Sequence, residues 1–121
     1  MSETQSLITE VIKLVPYNSI CFIQAPDIES TLYHNLVTAS PFDYYQQITF
    51  TDGNKELLIK AIIEDDLEES FQGIEIRLNN KLLFEGYDGL EYARISREVP
   101  LTYMFQTMFI DTELCLISKE W

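Results

Sequence analysis

Apolar residues recur at Leu7, Ile8, Val11, Ile12 and Val15, the spacing of a helix buried along one side. Ser2 and Gln5 stand where a capping box would open that helix, and Pro16 stops it. The apolar run Asn18–Gln24 is too short for a helix and lies between Pro16 and Pro26, so it predicts a buried strand. Asp27 is placed to cap a second helix with Ile28, Leu32, Tyr33, Leu36 and Val37 on one side, ended by Ser40-Pro41. Phe42, Tyr44, Tyr45, Ile48, Thr49 and Phe50 then bring aromatic and β-branched residues together, and Asp52-Gly53-Asn54 reads as a turn.

Residues 56–63 (ELLIKAII) fit two periods. Glu56 and Lys60 make a favourable i,i+4 helical pair. Leu57, Ile59, Ala61 and Ile63 also alternate as a strand does, and the turn before them favours the strand. Ile74–Leu78 alternates, Asn79-Asn80 can adopt a type I′ turn, and Lys81–Tyr87 returns as the second arm of a hairpin ended by Asp88-Gly89. Leu101, Met104, Phe105, Met108 and Phe109 mark a last helix with Pro100 in its first turn, and Glu113–Ser118 closes the chain as a strand. The order is α-β-α, a β-meander, α, β. It predicts an α+β fold: an antiparallel or mixed sheet with about three helices packed on one face.

Composition narrows the class. The 121 residues suit one domain, residues 1–121, able to bury roughly two-thirds of its unfolded surface without staples. Cys21 and Cys115 sit in apolar runs, which favours two buried thiols in a reducing compartment over a disulfide bridge. The first residues lack the positive stretch and continuous apolar core of a signal peptide, and no apolar run reaches the roughly 20 residues of a membrane span. A cytoplasmic protein is the expectation.

Charge changes the picture most. Twenty acids against eight bases give a net charge of −12. Such a field repels nucleic acid and anionic lipid, and it attracts cations and basic proteins. Ten of the acids, with two lysines, fall between Asp27 and Glu69. Five carboxylates crowd the six residues Glu64, Asp65, Asp66, Leu67, Glu68 and Glu69, which read either as a solvated loop or as a surface awaiting lysine and arginine from a partner. Asp27, Glu29, Asp43, Tyr44, Tyr45, Glu64, Asp65, Asp66, Glu68 and Glu69 form the candidate interface. Tyr44 and Tyr45 would be its anchors if they are exposed and core residues if they are not.

Chemistry is hard to find. His34 is the one histidine, and no residue beside it in sequence supplies an orienting partner for catalysis. Three Cys and His residues, widely spread, make no zinc pattern, and the acidic run lacks EF-hand spacing. The four glycines never take phosphate-loop spacing. No catalytic, cofactor or metal residues are therefore assigned.

One stretch has a likeness. Asn79–Gly89 (NNKLLFEGYDG), Ile95-Ser96, the Pro-led amphipathic helix and Glu120-Trp121 together resemble small bacterial immunity proteins, the partners of polymorphic toxins that include contact-dependent growth inhibition systems. The resemblance covers the last third of the chain. It implies a cytosolic protein that binds and blocks a toxin domain, commonly a basic nuclease, and it implies no catalytic residues. Interfaces differ between such proteins, so no contact residue is carried over; Tyr87 and Asp88 belong to the resembling motif. The rival expectation is a small enzymatic or ligand-binding domain with a pocket between sheet and helices.

Overall fold

The structure, a computed structural model, describes all residues from Met1 to Trp121. It is an α+β fold with one seven-stranded sheet in the order β2-β3-β1-β4-β5-β6-β7. The strands are β1 (Ile20–Gln24), β2 (Thr38–Ala39), β3 (Gln46–Thr49), β4 (Gly73–Leu78), β5 (Lys81–Tyr87), β6 (Tyr92–Ile95) and β7 (Leu116–Ile117). All neighbours are antiparallel except β6 and β7. The helices are α1 (Glu3–Leu14), α2 (Thr31–Leu36), α3 (Asp52–Asp65) and α4 (Tyr103–Phe105), the last running into a π-helical turn at Gln106–Ile110.

The first helix forms much as its pattern demands. Ser2 Oγ accepts from Gln5 N at 3.0 Å, and Leu7, Ile8, Val11 and Ile12 are buried. The reciprocal half of the capping box is absent, because the Gln5 amide turns instead to the end of α3. Lys55, only 7% exposed, sends its ammonium group to the carbonyls of Lys13 and Val15, capping the C-terminal end of α1 from the first turn of α3.

Three expectations fail in the middle of the chain. Asp27 caps nothing; Ser30 accepts from Tyr33 N at 3.2 Å, so the second helix starts later, and Val37 already leaves it. Asp52-Gly53-Asn54 is no turn but the first turn of α3, capped by Thr51 Oγ1. Residues 56–63 are helical. Of the alternating residues Leu57, Ile59, Ala61 and Ile63, only Ala61 is buried, whereas Leu58, Ala61 and Ile62 face the core at helical spacing. Fourteen continuous residues behind a threonine cap suit a helix far better than a strand.

The acidic run is likewise no loop. Glu64 and Asp65 end α3, Asp66 takes a left-handed conformation (φ 49°), and Leu67–Ser70 forms a 3-10 turn. The hairpin is as expected, with Asn79 and Asn80 at φ 52° and 65° joining β4 to β5. Adding β6 completes a meander; its sequence Tyr-Ala-Arg-Ile gave no strand signal. Thr102 caps α4, so Pro100 lies before the helix.

One core joins these parts. Leu7, Ile8, Val11 and Ile12 of α1, Leu58, Ala61 and Ile62 of α3, and Phe105 and Phe109 pack onto Cys21, Ile23, Ile48, Ile74, Ile76, Phe84, Ala93 and Ile95 of the sheet. Those strand residues alternate with Phe22, Gln47, Glu75, Glu85, Tyr87, Tyr92 and Arg94, which therefore line the opposite, helix-free face.

Candidate functional site

The register gathers the acids at one end of the sheet. Asp27 and Glu29 follow β1. Asp43, Tyr44 and Tyr45 precede β3, which runs antiparallel to β1 and so starts at that same end. Gln5 Nε2 bonds Ile62 O at 3.2 Å and Asp66 Oδ1 at 3.1 Å, which ties the start of α1 to the end of α3 and brings Glu64–Glu69 alongside. The β5–β6 turn adds Asp88 and Glu91, two acids outside the candidate interface expected from the sequence. Their signal was available: Asp88-Gly89 closes a hairpin arm whose partner begins at Gly73.

Five of the eight bases lie at the other end, which Asp52 and Glu98 share with them. Lys13 and Lys55 meet where α1 finishes and α3 starts, while Arg77, Lys81 and Arg97 flank the Asn79-Asn80 turn. Arg97 follows β6, and Lys81 pairs with Glu98 there. Negative charge thus dominates one end of the strands, while the other end mixes both signs.

Two open clefts mark the acidic end. One, of about 320 Å³, is lined by Asp27, Ile28, Glu29, Ser30, Asp65, Leu67 and Ser70. Ser30 Oγ donates to Asp65 Oδ2 at 2.6 Å and fixes its wall. The second, of about 280 Å³, is lined by Thr4, Glu69, Asp88, Gly89 and Glu91. Neither contains a lysine or arginine.

Helix α3 sharpens this field. Its C-terminus carries the partial negative charge of the peptide dipoles, and its last turn holds acids with no base. Lys60 approaches Glu64 only at 3.9 Å between two exposed side chains. Carboxylates at a helix C-terminus reduce stability; Asp65 and Asp66 recover part of that through Ser30 and Gln5, while Glu64 makes no contact but the long one to Lys60.

The ten candidate residues divide by role. Asp27, Glu29, Asp43, Glu64, Asp65, Asp66 and Glu69 are exposed. Glu68 is 2% exposed and accepts from Gln5 Nε2 and Ser2 Oγ, so it pins α1 to the 3-10 turn and offers nothing to a partner. Tyr44 is 85% exposed on a positive-φ loop position. Tyr45 is half-buried and lies across the helix-free face, where its Oη stands over Gly73.

That face is rich in rings and charges. Phe22 and Phe42 meet edge to face at 5.0 Å, and Tyr87 stacks on Tyr92 at 5.9 Å. Arg94 donates to Glu85 Oε1 through Nε (3.0 Å) and Nη2 (2.7 Å) and lies near the rings of Tyr92 and Trp121. The hydrogen bond to Glu85 raises the guanidinium pKa further.

The residues considered for chemistry lie apart. His34 is exposed, with Nε2 2.7 Å from Ile28 O. Cys21 and Cys115 are free, buried thiols; burial pushes Cys21 far up and Cys115 up to about 12. No group of three or more His, Cys, Asp or Glu side chains converges as metal ligands would. Core side chains fill the space between sheet and helices, and no helix is long and apolar enough to cross a membrane.

The chain matches no protein-family model, and no curated protein or solved structure is significantly similar to it.

Proposed function

We propose that this protein acts by binding a basic protein through the acidic end of its sheet, as an immunity protein covering the active site of a cationic, nuclease-type toxin domain. The observation that carries the reading is the segregation of charge. Acids from four separate stretches of sequence meet at one end, without a base in either cleft, although α3 would be more stable with bases in its last turn. Exposed Tyr44 beside that surface supplies an aromatic contact of the kind that dominates binding energy. The likeness of Asn79–Gly89 to immunity proteins agrees with it.

The test is isolation of the protein from its native cells. A stoichiometric complex with a basic toxin is expected, with association that slows as salt is raised and with Asp65→Lys/Glu69→Lys weakening it. Recovery of the chain without a partner, together with no toxin encoded beside its gene, would sink the reading.

A further inference from the structure

The core uses only part of the last apolar stripe. Phe105 and Phe109 are buried, whereas Met104 and Met108 stay nearly half exposed. The helix widens here into its π-helical turn, closed by Asp111 N donating to Gln106 O at 2.8 Å, and such turns gather at functional sites. Both methionines line a cleft of about 150 Å³ where this helix meets α1 and α3, together with Ser6, Ile59, Ile63 and Phe109. Ile63 is exposed as well.

The volume decides what fits. Pockets for cofactors and other small ligands run to about 300–1,000 Å³, so this cleft is too small for one. A cavity of about 150 Å³ accepts a single benzene ring, the side chain of one phenylalanine. Methionine walls suit such a guest, because their unbranched thioethers adapt to its shape and make favourable contacts with a ring.

Charge selects the partner that carries the ring. Gln5 joins the start of α1 to the end of α3, and Lys55 joins the start of α3 to the end of α1, so the two helices are antiparallel. Glu3 lies one turn before Ser6 and Glu56 one turn before Ile59, which sets an acid beside the cleft at each end. Lys13 and Lys60 already face Glu10 and Glu64, leaving Glu3 and Glu56 without a base. An apolar slot between two free acids suits an amphipathic helix with basic residues flanking its apolar stripe. The same acids oppose a second copy of this chain, with its net charge of −12, and an anionic membrane.

We propose that the cleft anchors a basic amphipathic helix of the partner, which seats one phenylalanine ring against Met104, Met108 and Ile63. The inference rests on the basic-partner reading and adds an apolar contact to it. Ile63 immediately precedes Glu64, so the cleft continues from the acidic end along the helices.

The probe is a synthetic amphipathic helix of lysine and leucine with one central phenylalanine, titrated into protein isotope-labelled in its methionine methyl groups and backbone amides. The methyl signals of Met104 and Met108 should shift. Alanine in place of the probe's phenylalanine should weaken binding about ten- to a hundredfold. Met108→Gln, at an exposed position, should weaken it about three- to tenfold and leave amide signals away from the cleft unchanged. Shifts confined to the amides of Asp27, Asp65 and Glu69, with the phenylalanine and alanine probes binding alike, overturn the cleft and leave the basic-partner reading standing. Equally tight binding by a probe with glutamine for every lysine overturns the basic partner instead. Methionine signals that ignore the probe but move with protein concentration, or with phosphatidylcholine vesicles, assign the cleft to a second copy or to a membrane and overturn the proposal.

Discussion

Gln5 Nε2 lies 3.3 Å from Oε1 and 3.2 Å from Oε2 of Glu68, and both residues are buried. A carboxylate buried next to a neutral amide has no counter-ion in contact, so the hydrogen bonds are what make its burial tolerable. Gln5→Leu leaves that carboxylate short of donors and should destabilise the fold by about 1–3 kcal/mol in urea unfolding. Glu68→Gln removes the charge but keeps an acceptor, and it should cost less. Equal losses in the two variants would refute this account.

The end of α3 predicts a gain. Glu64→Lys replaces an exposed acid with a base in the last helical turn, next to Asp65 and Asp66. The helix end should gain about 0.3–1 kcal/mol at low ionic strength, offset by about 0.2–0.5 kcal/mol from the new like-charge spacing to Lys60, and the net gain should shrink as salt is added. An unchanged melting temperature would show that the helix end carries no electrostatic penalty.

Alkaline pH should destabilise the protein through its thiols. Both cysteines have raised pKa values in the folded state, Cys115 up to about 12, against about 8.5 for an unfolded thiol. Their contribution is complete below about pH 8.5 and is lost as pH rises towards the folded values, by at most about 1.4 kcal/mol per pH unit for each thiol. Burial lowers Lys55, which acts in the opposite sense. The informative quantity is therefore the difference between Cys115→Ala and the unmodified protein in urea midpoints across about pH 8–10: the variant should show the shallower decline. Parallel declines would contradict it.

Gly86 tests the packing under the Glu-Gly-Tyr-Asp-Gly motif. A Cβ there would stand 2.5 Å from Leu90 Cδ2 and 3.2 Å from Ile74 Cγ2. Gly86→Ala should cost about 1–3 kcal/mol through overpacking. Thermal unfolding reads it directly, and a neutral result would mean that Leu90 repacks freely.

This motif shows how much of the fold could be read from the chain. Glu85 binds Arg94, Gly86 makes room for Leu90, Tyr87 stacks on Tyr92, and Asp88, Gly89 and Leu90 all take positive φ. The residues that carried the family likeness thus have structural roles. The Asn79-Asn80 hairpin and α1 were legible because their signals are local. Residues 56–63 were not, since helix and strand periods coincide there and the Thr51 cap went unnoticed against an apparent turn. The acidic region was visible as composition. Its convergence with Asp88 and Glu91 depends on antiparallel register, which no local pattern carries.

The central position of β1 has a consequence for synthesis. It pairs with β3 on one side and with β4, some fifty residues later, on the other. Until Gly73–Leu78 has left the ribosome, one edge of this apolar strand has no neighbour and is a template for another nascent chain. Most of the surplus negative charge lies in residues 27–69, which are made before β4. The net charge of such half-made chains opposes contact between their bare strands.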